Sequence, residues 1–128
     1  MPISPPAHAV LNADGSYSWT THQGVQEKNV PHYALALFQA VCEAIGTDAL
    51  NPATTSGLVA LGLTRKDALA VIASMDGGMF YKSMEALKRP GMWQDVYRVP
   101  VPSGVKAYVK LSPMHPQKCV VISFKPLL

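Results

Sequence analysis

The sequence has few cysteines and no long hydrophobic run, and both absences exclude classes of protein. Its two cysteines, Cys42 and Cys119, each lie in an apolar stretch, so we expect buried thiols and no disulfide framework. No apolar run approaches the roughly 20 residues that a helix needs to span a bilayer. The N-terminus also lacks the basic region and apolar core of a signal peptide. We therefore expect a cytoplasmic protein with no membrane partner.

Sequence motifs of several enzyme classes are absent too, among them a glycine-rich phosphate loop, Gly-x-Ser-x-Gly, His-Glu-x-x-His and Cys-x-x-Cys. The eight acidic residues are scattered, which gives no support to paired-carboxylate or two-metal hydrolysis. The four histidines lack the spacing of metal ligands: His8, His22, His32 and His115. We therefore expect no metal and no cofactor. His115, in a predicted turn, is either a base or an ordinary surface histidine.

The charged residues that are present are distributed unevenly along the 128-residue chain. Residues 1–64 carry one lysine against four acidic residues, whereas residues 65–128 carry ten lysines and arginines against four. Hydrophobic residues make up 48%, enough for one domain with a substantial core. The C-terminal half thus presents either a basic surface for a polyanion such as nucleic acid, or an ordinary solvated sheet face with lysines at its edges.

Helical periodicity dominates the middle of the chain. Apolar residues recur at steps of three and four from Pro31, and Gly46 is the expected stop. A second helix is predicted through residue 75, because Thr64 and Asp67 have the spacing of a capping box. Residues 79–87 are predicted to form one more short helix.

The last third of the sequence changes to a period of two, which is typical of strands. Three strands are predicted, over residues 93–101, 105–112 and 118–126. Proline and glycine in the connecting segments favour turns, so an antiparallel meander is the economical topology. Together with the helices, this predicts an α+β fold.

Alternation along these strands separates a core face from an open face. In the third strand the residues predicted to face the core are Val120, Ile122 and Phe124. The side chains predicted to converge on the open face are Gln94 or Arg98, Tyr108 and Lys125. Such a set can hold a phosphodiester and offset the charge that develops when a ribose 2′-hydroxyl attacks it. The alternative is that these are solvent-facing residues of an amphipathic sheet.

Four motifs in order carry a more specific signal. They are Phe-Tyr-Lys-Ser-Met at 80–84, Trp-Gln-Asp-Val-Tyr at 93–97, Tyr-Val-Lys-Leu at 108–111 and Ile-Ser-Phe-Lys at 122–125. Upstream, Glu-Lys-x-x-Pro-His-Tyr occupies 27–33. This series strongly resembles the motility quorum-sensing regulator (MqsR) family of toxins from type II toxin–antitoxin pairs, and the resemblance covers about residues 27–128.

The resemblance implies a RelE-like fold, in which helices pack on one side of an antiparallel sheet. It also implies an mRNA interferase that cuts transcripts without the ribosome, typically beside a GC dinucleotide. The family's implicated residues match Lys82, Gln94, Tyr108 and Lys125, which we take as the catalytic candidates. The RNA-binding candidates around them are Tyr81, Arg98, Lys106 and Lys110. The implied partner is an antitoxin that binds zinc and carries a helix-turn-helix.

Residues 1–26 have no counterpart in this resemblance, so we divide the chain into an N-terminal extension and an endoribonuclease domain over 27–128. Asp14-Gly15 favours a tight turn, which makes the extension either a small hairpin or an irregular arm. The alternative to an enzyme is a non-catalytic module of the same fold that binds RNA or the antitoxin. We expect a metal-independent cleavage by 2′-hydroxyl attack.

Overall fold

The structure is a computed structural model, and it describes residues 1–113 and 119–128. Within these residues one sheet contains seven strands in the order of the chain, and every neighbouring pair is antiparallel. The strands are β1 (Val10–Leu11), β2 (Tyr17–Thr20), β3 (Gln26–Lys28), β4 (Phe80–Glu85), β5 (Trp93–Pro100), β6 (Lys106–Leu111) and β7 (Val121–Pro126). The helices are α1 (Leu35–Ile45), α2 (Thr55–Ala60) and α3 (Arg65–Ala73).

The helices cover one face of the sheet, and the core lies between the two layers. Core side chains from the helices include Phe38, Leu58 and Ile72, and those from the strands include Tyr97, Val109 and Phe124. The last three strands form the predicted meander. The predicted α+β fold, an antiparallel sheet with helices on one side, is therefore confirmed.

Local signals decide where two of the helices begin or end. At α3, the Thr64 side chain accepts a hydrogen bond from the Asp67 N–H, and the Asp67 carboxylate accepts one from the Thr64 N–H, which is the predicted capping box. At α1, Gly46 adopts a φ of 66°, so it ends the helix as predicted. However, α1 begins at Leu35 and not at Pro31, since residues 31–34 are held in a different conformation by Asp95, described below.

The Asp95 carboxylate lies in strand β5 and is fully buried. It accepts hydrogen bonds from the backbone N–H groups of His32 and Tyr33, at 3.0 Å from each nitrogen. These bonds fix the chain just ahead of α1 in a non-helical conformation and attach it to the sheet. Sequence periodicity contains no trace of this long-range contact, which explains the later start of the helix.

The predicted helix over residues 79–87 is wrong, because Phe80–Glu85 form strand β4. A bulge at Tyr81 shifts the register between Phe80 and Lys82. As a result the buried positions of β4 are Phe80 and Ser83, three residues apart. This spacing imitates a helix and hides the period of two.

A second bulge corrects the predicted faces of β7. The register between β6 and β7 shifts so that Val121 pairs with Leu111, and Ile122 has no Cα partner in β6. Val121 is therefore fully buried in the core, and Ile122 is partly exposed. The prediction of a core-facing side chain is right for Val120 and Phe124 and wrong for Ile122.

The N-terminal residues form a hairpin that extends the same sheet. Strands β1 and β2 are joined by a turn in which the Asp14 carboxylate accepts the Ser16 N–H at 2.9 Å, and Gly15 has a φ of 88°. Strand β2 pairs with β3, which pairs with β4. The division of the chain near residue 27 remains a prediction. None of the helices in the described part of the chain is long and apolar enough to cross a membrane.

The packing of α2 on β7 gives a test of the fold. A Cβ atom added at Gly57 would collide with the carbonyl oxygen of Phe124 and lie 2.7 Å from the Cβ of Lys125. We expect Gly57→Ala to lower the free energy of unfolding by about 2 kcal/mol, because the backbone of β7 must move. Urea denaturation measures this loss. Gly77→Ala is the matched control, since its Cβ would meet no atom within 4 Å; equal stability of the two variants would contradict the packing.

Candidate active site

Strand register places the main site candidates on the sheet face that the helices leave open, here called the open face. Tyr108 in β6 pairs with Arg98 on one side and with Lys125 on the other. Lys82 in β4 and Lys110 in β6 lie across the intervening strand β5 from each other, since both pair with the same residue of β5. Arg98, Lys125 and Lys110 are thus neighbours of one tyrosine, and Lys82 lies diagonally from it across β5.

Gln94 and Lys106 lie at the margins of this group, and Tyr81 stacks on Arg98. Gln94 pairs with Met84 and lies two residues before the position that Lys82 faces, so it shares the open face. Lys106 is exposed at the beginning of β6, two residues before Tyr108 and therefore on the same face of the strand. The structure thus places all eight candidates on or beside the open face, with Lys106 at its edge. Their roles remain predictions.

Tyr108 has the environment of a hydroxyl that stays protonated. The Nζ atoms of Lys125 and Lys110 lie 5.1 Å and 5.9 Å from the centre of its ring. Burial raises the pKa of Tyr108, and the negative charge of Glu27 raises it further. At neutral pH this side chain is therefore a hydrogen-bond and proton donor.

Lys110 has the opposite shift. Burial lowers its pKa, and the positive charges of Lys125 and Lys82 lower it further. Lys110 is thus repelled by both of these ammonium groups in the free protein. An anion placed beside Lys110 would relieve that repulsion, so the open face has the positive charge that attracts negatively charged groups.

Arg98 is held flat against an aromatic ring. Its guanidinium carbon lies 3.5 Å from the ring centre of Tyr81, the residue at the β4 bulge. The Nε atom of Arg98 is buried and makes no hydrogen bond in the described structure. The stack orients the guanidinium group beside Tyr108, where its outer nitrogens can reach a phosphate or a base edge.

Sequence reasoning missed one residue of the open face, Glu27. Its carboxylate Oε2 accepts a hydrogen bond from the Nζ of Lys82 at 2.5 Å, and its Oε1 accepts one from the Nε1–H of Trp19 at 3.1 Å. Lys82 was predicted on a helix, whereas it lies on β4 directly beside β3. The helix prediction concealed the pairing of β3 with β4, and no local pattern could have joined Glu27 to Lys82.

Three further observations concern the histidines, the acidic residues and the cysteines that the sequence analysis discussed. His115 lies outside the described residues. Among residues 1–113 and 119–128, no group of three or more histidine, cysteine, aspartate or glutamate side chains is placed to hold a metal ion. The thiol of Cys42 is buried, and burial raises its pKa to about 11, so it is a poor nucleophile at neutral pH.

The segment that carries the open-face candidates matches a protein family. The family model, described as motility quorum-sensing regulator, toxin of MqsA, aligns with residues 30–126. The chain belongs to this family. It is therefore a toxin of a toxin–antitoxin system, and a cognate antitoxin is the partner that membership implies. The predicted zinc-binding and helix-turn-helix character of that antitoxin stays a prediction. A search of curated proteins finds no match.

Membership in the MqsR family agrees with the observed fold, since the α+β architecture is that of a RelE-like toxin. The matched range includes strands β4 to β7 and hence all eight candidates from Tyr81 to Lys125. It excludes the hairpin of β1 and β2, and also Glu27. The open face is thus built from the matched segment together with a carboxylate from the Glu-Lys motif just before it.

Proposed function

We propose that this MqsR-family toxin is a metal-independent endoribonuclease that cleaves single-stranded mRNA without the ribosome. The observation that carries the proposal is the group of cations around Tyr108 on the open face. RNA contains its own nucleophile, the 2′-hydroxyl next to each phosphodiester. The protein then needs only to hold the phosphate, offset its growing charge and move two protons.

Positive charge would bind and stabilise the scissile phosphate. Lys125 lies directly beside Tyr108 on β7, Lys82 lies across β5 from Lys110, and Arg98 adds a planar group that can donate two hydrogen bonds. These donors would stabilise the extra negative charge of the pentacoordinate transition state more than the charge of the ground state, which is the condition for catalysis.

Proton transfer would be divided between two residues of β6. Tyr108 keeps its proton at neutral pH because its pKa is raised, so it suits the donation of a proton to the departing 5′-oxygen. Lys110, whose pKa is lowered, would accept the proton of the attacking 2′-hydroxyl in those molecules in which its amine is neutral. Gln94 would position a base or a phosphate oxygen. The products would be a 2′,3′-cyclic phosphate and a 5′-hydroxyl.

A preference for sites near a GC dinucleotide is part of the proposal and comes from the family resemblance. Arg98 is the side chain on the open face best suited to read guanine, because a guanidinium can donate to O6 and N7 together. Its stack on Tyr81 holds that plane at a fixed angle. Sequencing of RNA ends after induction of the toxin would map the preferred sites.

Cleavage of a synthetic single-stranded RNA in excess EDTA tests the proposed activity. We expect EDTA to leave the rate unchanged, since the reaction uses side-chain cations and the RNA hydroxyl. Cleavage that stops in EDTA and returns with a divalent metal would contradict a metal-independent reaction. Binding of the RNA without cleavage would favour the alternative, a non-catalytic RNA-binding module. A salt titration of that binding would confirm phosphate contacts, which weaken steeply as salt rises.

A further inference from the structure

Three side chains joined by hydrogen bonds connect the N-terminal hairpin to the open face. Trp19 in β2 pairs with Glu27 in β3, and Glu27 pairs with Met84 in β4. Trp19 donates its indole N–H to one oxygen of the Glu27 carboxylate, and Lys82 donates to the other oxygen. Both carboxylate oxygens are thus engaged, each by a residue from a different neighbouring strand.

Two of these three groups are buried and the third is partly exposed. Trp19 and Glu27 are 6% and 5% exposed, whereas the Lys82 side chain is 21% exposed. The carboxylate therefore lies behind the lysine, and of the three groups only the ammonium group is accessible to RNA. A carboxylate this deeply buried requires partners for its charge, and here it has a cation and an indole N–H.

From this arrangement we propose that Glu27 is a positioning residue for Lys82, and that Trp19 fixes Glu27. The N-terminal segment, residues 1–26, then contributes to the active site, because it supplies the Trp19 side chain that holds Glu27. The inference rests on the proposed ribonuclease activity. A lysine side chain is long and flexible, so an anchor that restricts its ammonium group reduces the ordering required when the phosphate binds. The ammonium group has three N–H donors, and one bond to Glu27 leaves two for the RNA.

The hairpin is needed because β3 alone is weakly attached. Strand β3 has three residues and pairs with β4 through two of them, whereas all three pair with β2. Without β2, the segment of Glu27 would become the edge of the sheet and lose the indole donor. Trp19 and Glu27 precede the family segment that begins at residue 30, so this support lies outside the matched region.

The position of the carboxylate argues against Glu27 as the general base that removes the proton of the 2′-hydroxyl. A general base must contact the proton that it removes. The carboxylate lies beneath Lys82, and each of its oxygens already accepts a hydrogen bond. Glu27 thus acts through Lys82, which gives it a kinetic signature different from that of a catalytic residue.

The test is a mutant cycle on RNA cleavage with the full chain. Glu27→Gln keeps the shape of the side chain and removes its charge, and we expect kcat to fall about tenfold with little change in KM. Trp19→Phe keeps an aromatic ring and removes the N–H donor, and we expect a smaller loss in kcat, about threefold. Glu43→Gln, on the exposed surface of α1, is the matched control with unchanged turnover. Thermal denaturation verifies that each variant folds.

The decisive comparison is Glu27→Gln in the Lys82→Ala background. If Glu27 acts through Lys82, the double variant cleaves RNA at the rate of Lys82→Ala alone. Losses that multiply, or full activity of Glu27→Gln in an otherwise wild-type chain, would overturn the inference while leaving the proposed function intact. A wild-type protein that cleaves no RNA would instead overturn the proposed function, and the inference with it.

Discussion

Replacement of Lys82 by alanine is expected to lower kcat/KM for single-stranded RNA about a hundredfold, the usual scale for losing one charge stabiliser. Lys82 lies across β5 from Lys110, and its ammonium group is held in place by Glu27. Removing it takes one of the cations away from the proposed phosphate site. In cells, the growth arrest that follows induction of the toxin should be relieved.

Controls must separate chemistry from folding, because Lys82→Ala leaves the buried Glu27 carboxylate without its cation. Lys82→Gln keeps a hydrogen-bond donor for that carboxylate and removes only the charge, so we expect a similar loss of activity with better stability. Lys66→Ala, on the exposed surface of α3, is the matched lysine control. Wild-type turnover by a folded Lys82→Gln protein would remove Lys82 from the mechanism.

Replacement of Tyr108 by phenylalanine is expected to have an effect of the same size, about a hundredfold in kcat, since one hydroxyl group supplies the proton for the leaving oxygen. Phenylalanine retains the ring that Lys125 and Lys110 contact, so binding of RNA should change little. Tyr17→Phe is the matched control, because Tyr17 lies in β2, which three strands of the sheet separate from β6.

The role of Tyr108 as an acid has two specific consequences. A substrate with a p-nitrophenolate leaving group needs no protonation, so the loss in Tyr108→Phe should shrink to less than about tenfold. Because the pKa of Tyr108 is raised, the protonated donor persists as pH increases beyond the usual range of tyrosine, and its contribution disappears only above that raised pKa. A hundredfold loss on both substrates would show that Tyr108 does not donate this proton.

Much of the fold can be predicted from the sequence, because its signals are local. The capping box of Thr64 and Asp67, the helix stop at Gly46 and the alternation of β5 and β6 each depend on residues close together in the chain. Strand alternation also places Tyr108 and Lys125 on one face. That placement requires only that apolar residues of neighbouring strands share a core.

Bulges and distant pairings account for the errors. The bulge at Tyr81 gives β4 a burial period of three, and the bulge at Ile122 exchanges the faces of two residues in β7. Neither bulge contains a glycine or proline that would mark it. The contact of Glu27 with Lys82 joins residues 55 positions apart, and it exists only because β3 pairs with β4. Such a contact is a property of the sheet and not of any segment.

The measurement that tests the central claim most directly compares two RNA molecules that differ by one oxygen. Both are single-stranded and are incubated with the toxin in excess EDTA. One consists of ribonucleotides only, and the other has the same sequence with a 2′-deoxy nucleotide at the mapped cleavage position. We predict that the all-ribose RNA yields a 2′,3′-cyclic phosphate and a 5′-hydroxyl, and that the 2′-deoxy RNA is not cut at this position. Cleavage of the 2′-deoxy RNA there, or products with a 3′-hydroxyl and a 5′-phosphate, would contradict attack by the 2′-hydroxyl.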